Sequence, residues 1–284
     1  MRSEEEIFAL LLNYAQMDER IRLVSLEGSR ANPTIKDDEF KDFDVAFFVT
    51  DMQSFLANDD WLEFLGERLI LQKPDEMELY PSQQRNRFAY LMLFEDGNKI
   101  DLTLVPINEL PAYLKTNDGL LRILLDKDQE IKEEIVATDQ HYWITKPTEQ
   151  KFNDCCNEFW WVSTYVAKGL ARKEFLFAQD HLNNNVRPTL LLMMSWKIGT
   201  EKGYGFTLGK NYKFIQQYLS IEDWEQFLLT FQGAGYRESW EALLLCQNLF
   251  RQQSKKAALA YGYVYPDYDE KVSLYIQDLY ASYL

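Results

Sequence analysis

A Gly-Ser pair followed at short range by two aspartates one residue apart constrains this chain more than any other feature. Gly28-Ser29 comes first, residues 30–41 intervene, and Asp42-Phe43-Asp44 then leads into the apolar run Val45-Ala46-Phe47-Phe48-Val49. Such a run reads as a buried strand, and successive strand side chains point to opposite faces. Asp42 and Asp44 are therefore expected to project side by side. Carboxylates held that close repel unless a cation lies between them. Mg²⁺ is commonly held by one or two carboxylates together with substrate phosphates. The Gly-Ser turn offers backbone N–H groups and a hydroxyl to a phosphate. The pattern points to a site for a metal-nucleotide.

A third carboxylate fits the set. Asp101 lies in Lys99-Ile100-Asp101-Leu102-Thr103-Leu104-Val105, which alternates like a strand. The run Phe88-Ala89-Tyr90-Leu91-Met92-Leu93-Phe94 precedes it, and Glu95-Asp96-Gly97-Asn98 between them has the composition of a hairpin turn. The hairpin brings Asp101 beside Asp42 and Asp44 if these strands share one sheet. Alternatively, Asp101 is a strand aspartate of the fold, paired with Lys99 or an arginine.

With these residues in place, the Gly28-Ser29, Asp42-x-Asp44 and Asp101 set resembles the nucleotidyltransferase superfamily related to DNA polymerase β. The resemblance narrows to the aminoglycoside 6-adenylyltransferases, the streptomycin-modifying branch. It is carried by Leu26-Glu27-Gly28-Ser29-Arg30-Ala31-Asn32 and by segments 72–79, 98–104, 154–160, 168–174 and 209–214, which spread through nearly the whole chain. Lys41 stands where the broad superfamily often has Ser before the first aspartate, and the narrower branch lacks that Ser too.

The resemblance implies ATP as co-substrate, two Mg²⁺ ions and an aminoglycoside acceptor. Asp42 and Asp44 would bridge metal to the triphosphate. Asp101 would serve as general base, metal ligand or both. Gly28, Ser29 and Arg30 would contact phosphate, Arg30 alternatively pairing with an acid of the fold. Lys168 and Arg172, i and i+4 on an expected helix, would clamp the triphosphate from a helical domain, with Lys210 and Lys213 as weaker candidates. Glu76, Glu78, Asp154 and Glu158 offer carboxylates for bidentate pairing with the guanidinium groups of streptomycin. Trp160, Trp161 and Trp196 are expected in the core. The alternatives are a nucleotidyltransferase acting on another small molecule or a protein, and a non-catalytic nucleotide-binding module.

Composition agrees with these limits. Hydrophobic residues make up 46% of 284, enough for a packed globular protein. Two histidines, His141 and His181, leave no multi-histidine metal centre, so a metal should be hard and oxygen-bound. Net charge is −15 and basic clusters are absent, which argues against extended nucleic-acid binding. An acidic surface attracts a polycation. No apolar run approaches the roughly 20 residues of a membrane span, and Met1-Arg2-Ser3-Glu4-Glu5-Glu6 does not read as a signal peptide. A cytoplasmic protein without membrane partners is expected; nothing in the sequence sets its oligomeric state. Cys155, Cys156 and Cys246 read as buried thiols.

The expected fold class is α+β. Residues 1–146 read as a nucleotidyltransferase domain with a mixed β-sheet flanked by helices, and 147–284 as an all-α helical-bundle domain for the acceptor. The first part carries strands at 21–27, 43–50, 68–71, 77–80 and the hairpin, with helices at 4–17, 61–65 and 108–115. Helices follow at 148–168, 169–184, 187–202, 211–218, 221–230, 236–261 and 268–283. Pro188 suits a first turn, and Ser220-x-x-Asp223 has the shape of a capping box.

Overall fold

The computed structural model describes residues 1–36, 38–82 and 86–283. They fall into two compact units, Met1–His141 and Tyr142–Leu284, and the fold class is α+β.

The first unit is built on six strands: β1 (Ile21–Glu27), β2 (Phe43–Val49), β3 (Arg68–Gln72), β4 (Phe88–Phe94), β5 (Lys99–Pro106) and β6 (Leu121–Asp126). Their order is β3-β4-β5-β2-β1-β6. The β2–β5 pair is parallel and the other pairs are antiparallel, so the sheet is mixed. Helices α1 (Glu4–Met17), α2 (Gly28–Ala31), α3 (Met52–Leu56) and α4 (Leu110–Thr116) complete it. Ser3 and Glu6 close a reciprocal capping box on α1.

The period-2 pattern of β2 decides which face each residue serves. Val45, Phe47 and Val49 join Ile7 and Leu11 of α1, Phe55 of α3, and Tyr90 and Met92 of β4 in one cluster. Ala46 and Phe48 join Leu23, Val105, Leu110 and Tyr113 in a smaller cluster on the opposite, α4-bearing face. That second face is covered only in part. On β4, Phe88, Tyr90, Met92 and Phe94 are buried while Ala89, Leu91 and Leu93 are half-buried. Glu27, Asp44 and Asp101 stand an even number of residues from Leu23, Phe48 and Val105, which puts all three on this partly open face.

The second unit contains α5 (Glu149–Ala171), α6 (Phe175–His181), α7 (Arg187–Lys202), α8 (Ile221–Leu229), α9 (Tyr236–Tyr261) and α10 (Tyr268–Tyr283). Its core stacks Phe159 on Phe250 with ring centroids 3.7 Å apart. A Cβ on Gly169 would fall 2.9 Å from the Phe177 ring, so glycine lets α5 approach α6. The three cysteines are free and buried. No helix among the described residues is long and apolar enough to cross a membrane.

Several expected elements differ. Segment 77–80 forms no strand; a 3₁₀ turn at Pro74–Glu76 leads into bends there. Helix 61–65 is a 3₁₀ segment, Asp60–Leu65, and 211–218 divides into 3₁₀ turns Lys210–Tyr212 and Ile215–Tyr218. Helix 169–184 is broken because Lys173 takes a left-handed φ of 61°, which no α-helix continues through. Helix α6 then runs through a π turn, Leu182–Val186, into α7. Pro188 therefore follows a widened turn in a continuing helix. Such a turn accommodates a residue that cannot donate an N–H. The Ser220 hydroxyl caps the Asp223 N–H at 3.0 Å. The Asp223 carboxylate accepts instead from Gln253, so only half of the capping box forms.

Candidate active site

Parallel pairing of β2 with β5 sets Asp44 opposite Asp101. Antiparallel pairing of β1 with β2 sets Glu27 opposite Asp44. Three carboxylates thus occupy paired positions on three neighbouring strands, at the end of the sheet where β1 turns into Gly28–Ala31. Asp42, one residue before β2, adds a fourth.

Lys99 answers part of this charge. Its Nζ donates to Asp42 Oδ2 at 2.9 Å and to Asp101 Oδ2 at 3.0 Å. Burial works to lower the Lys99 pKa, but the hydrogen bonds to Asp42 and Asp101 outweigh it and the pKa rises. The Asp101 carboxyl is raised, chiefly by burial, against the opposing pull of Lys99. Its Oδ1 is buried and accepts no hydrogen bond. That orphaned acceptor is unusual for a buried polar atom.

Gly28 has a φ of +63°, in the left-handed region that favours glycine. A Cβ built there would collide with Asp44 Oδ2 and lie 3.1 Å from Asp44 Cγ. The Asp44 carboxylate therefore rests in the space that the missing side chain leaves. Gly28 opens the single turn α2, which also carries half-buried Ser29.

The donors are carboxylate oxygens, one of them orphaned, and oxygen is the donor type that a hard divalent cation takes. Among the described residues, no three His, Cys, Asp or Glu side chains converge closely enough to hold a metal. Lys99 sits between Asp42 and Asp101, and Asp44 lies against Gly28.

The other sequence candidates divide. Arg30 serves the fold. Its guanidinium donates to Glu4 and to the Lys41 carbonyl, both at 2.7 Å, and stacks on the Phe43 ring 3.8 Å away. Its side chain is 6% exposed, and its Nε is buried without a hydrogen-bond partner. Glu76 is exposed beside Lys73, and Glu78 is exposed. In the second unit, Lys168 is exposed near the end of α5, and Arg172 caps that helix and pairs with Glu174 at 2.9 Å. Asp154 and Glu158 are exposed one turn apart on α5, with Gln150 donating to Asp154. Lys210 and Lys213 are exposed. Trp160 and Trp196 are core residues, but Trp161 is 59% exposed and donates its indole N–H to the Tyr165 hydroxyl.

Lys99 pairs with Asp101, as the structural alternative for that aspartate expects, and reaches Asp42 as well; Glu27 is given no role by the sequence. Their signals were present but faint. Glu27 immediately precedes Gly28, and Lys99 shares a strand face with Asp101 two residues on.

Glu27 is half-buried, and burial and the adjacent Asp44 push its pKa up to about 7. A carboxyl whose folded-state pKa is raised holds its proton longer when folded than when unfolded. Its contribution therefore falls as pH rises from the unfolded value near 4.5 to about 7, and the penalty is complete above that. Glu27→Gln removes the penalty. In EDTA it is expected to melt above the wild type at pH 8, with a gap that closes toward pH 5. A gap independent of pH would refute the origin of the shift.

The streptomycin adenylyltransferase family model matches residues 1–279. The chain is 54% identical over 282 residues to an aminoglycoside 6-adenylyltransferase of Bacillus subtilis (strain 168), covering 99% of each. It is 52% identical over 276 residues to one from Campylobacter jejuni, covering 97% of this chain and 95% of that one. A crystal structure of an aminoglycoside 6-adenyltransferase from Bacillus subtilis aligns at 50% identity over 99% of both chains, with a TM-score of 0.49.

Proposed function

This chain belongs to the streptomycin adenylyltransferase family, and from that premise we propose that it transfers AMP from Mg-ATP to a hydroxyl of an aminoglycoside, the 6-hydroxyl of streptomycin, with release of pyrophosphate. Antibiotic resistance in a host that expresses it would follow. The observation that best supports this reading is the paired register of Asp44 and Asp101 beside the Gly28 turn.

Asp42, Asp44 and Asp101 are the residues proposed to hold Mg²⁺. Bound there, Mg²⁺ would neutralise charge on the triphosphate and polarise the reacting phosphoryl group. The Gly28-Ser29 backbone and the Ser29 hydroxyl are proposed to orient the phosphates. Asp101 is proposed to accept the acceptor hydroxyl proton at Oδ1. Burial makes this carboxylate more basic than an exposed one and so better suited to the task. The hydroxyl oxygen then forms a bond to the α-phosphorus, the bond from that phosphorus to the pyrophosphate oxygen breaks, and pyrophosphate leaves. Little covalent chemistry falls to the protein, and catalysis rests on positioning and charge.

Lys168 and Arg172 are proposed as triphosphate contacts, and Glu76, Glu78, Asp154 and Glu158 as partners for the guanidinium groups of streptomycin. The helical unit is proposed to shape the acceptor pocket. The strongly acidic chain favours encounter with a polycationic acceptor.

Pyrophosphate release from Mg-ATP by the purified protein, measured with and without streptomycin, tests the reading. Release that depends on streptomycin is expected. Release only with a different acceptor would keep the transfer chemistry and discard streptomycin. ATP binding with no release for any aminoglycoside would overturn the assignment as a transferase.

A further inference from the structure

We infer that Lys99 is the resident counter-ion of the metal-free site, and that its ammonium is exchanged for a divalent cation when the site is loaded. The inference rests on the nucleotide-site reading above and concerns what this chain does before the nucleotide binds.

Four carboxylates, Glu27, Asp42, Asp44 and Asp101, crowd one end of β1, β2 and β5. Such a group costs free energy unless a cation lies among them. Lys99 supplies one positive charge at the most useful point. Its Nζ lies within 3.0 Å of an oxygen on each of Asp42 and Asp101, the two acids that flank the strand positions of β2 and β5. Both atoms are carboxylate oxygens, the donor type that a hard divalent cation takes. One ammonium cannot serve every acceptor, and Asp101 Oδ1 remains buried without a partner. The Lys99 side chain is 39% exposed. A flexible four-carbon stem at that exposure can swing its head into water without disturbing the core.

This arrangement gives the site two properties. In the absence of metal the acids are held together rather than splayed by repulsion. A metal arriving alone must displace Lys99, so its apparent affinity falls by the fraction of time that Lys99 is paired. If Lys99 is paired about 90% of the time, the reduction is about tenfold. Metal arriving with ATP brings phosphate oxygens as further ligands and offsets that reduction, so the site favours the metal-nucleotide over the bare ion.

The test is Mn²⁺ binding followed by electron paramagnetic resonance on the full chain without nucleotide. Lys99→Met is expected to bind Mn²⁺ about tenfold more tightly than wild type, and Lys99→Arg no more tightly. In EDTA, Lys99→Met should melt below wild type, and Mn²⁺ should restore it by a larger shift than wild type shows. Lys99→Gln, which keeps polar donors without charge, serves as a second variant and should behave as Lys99→Met does. The difference should survive 0.5 M KCl, where charges separated by more than about 4 Å are screened. Mn²⁺ binding by Lys99→Met equal to or weaker than wild type overturns the inference, as does a difference that salt abolishes. Failure of the wild type to bind Mn²⁺ even with a non-hydrolysable ATP analogue overturns the nucleotide-site reading as well. Tight Mn²⁺ binding with the analogue but no effect of Lys99→Met overturns the exchange alone.

Discussion

Asp44→Asn is expected to lower kcat/KM by about 10³-fold, the equivalent of about 4 kcal/mol of transition-state stabilisation, while the melting temperature stays within a few degrees of wild type. The asymmetry follows from where Asp44 sits. It is opposite Asp101 on one side and Glu27 on the other, so its negative charge burdens the fold while serving the proposed chemistry. The amide has nearly the same shape and continues to fill the space above Gly28. Removing the charge also relieves Glu27, whose raised pKa owes part of its shift to Asp44. Calorimetry in EDTA should therefore give a transition at or slightly above the wild-type temperature. Pyrophosphate release supplies the activity readout. Full turnover in this variant would remove Asp44 from the metal site.

Gly28→Ala is expected to damage both stability and activity. A left-handed φ costs an alanine about 1–2 kcal/mol, and the new Cβ collides with the Asp44 carboxylate. The three heavy atoms nearest to that Cβ all belong to Asp44, so the strain can be relieved only by moving the residue proposed to hold the metal. The melting temperature should fall by roughly 4–8 °C, and kcat/KM by about 10²-fold, since a small misplacement of a positioned group has that effect. The two sites are in contact and should not be additive. In an Asp44→Ala background, Gly28→Ala should cost less stability than it does alone. Equal costs in the two backgrounds would show that backbone strain alone is responsible and that the Asp44 contact carries no energy.

The long helices were legible because their apolar spacing is local. Helices α7, α9 and α10 begin and end where the sequence placed them, at Arg187–Lys202, Tyr236–Tyr261 and Tyr268–Tyr283. Shorter segments misled for an equally local reason. Trp61-Leu62-Glu63-Phe64-Leu65 has the composition of a helix, but it is too short to propagate one and settles as a 3₁₀ turn. Strand β6 was not marked at all. It is an edge strand with only Leu121 fully buried, and such a strand carries weak alternation. Trp161 was expected in the core with Trp160 and Trp196, but its position on α5 turns it outward. Arg30 read equally well as a phosphate ligand or a structural ion pair. The packing of Phe43 beneath its guanidinium and of Glu4 beside it gives it a structural role.

By itself, the sequence determined which residues to propose for a site and the family to which the chain belongs. Gly28, Ser29, Asp42, Asp44 and Asp101 could be singled out as candidates because a tight turn, an i and i+2 carboxylate pair and a strand aspartate are each written in a few adjacent residues. The tertiary structure alone decided which strands are neighbours. Hydrophobic alternation says which face of a strand is buried, but not what lies beside it, because strand pairing joins residues far apart in the chain. Parallel pairing of β2 with β5 put Asp44 beside Asp101 and brought Lys99 to Asp42. Antiparallel pairing of β1 with β2 put Glu27 beside Asp44. The ammonium that balances the site and the carboxyl that titrates near neutral pH are products of register, and no local pattern in the sequence encodes register across 57 residues.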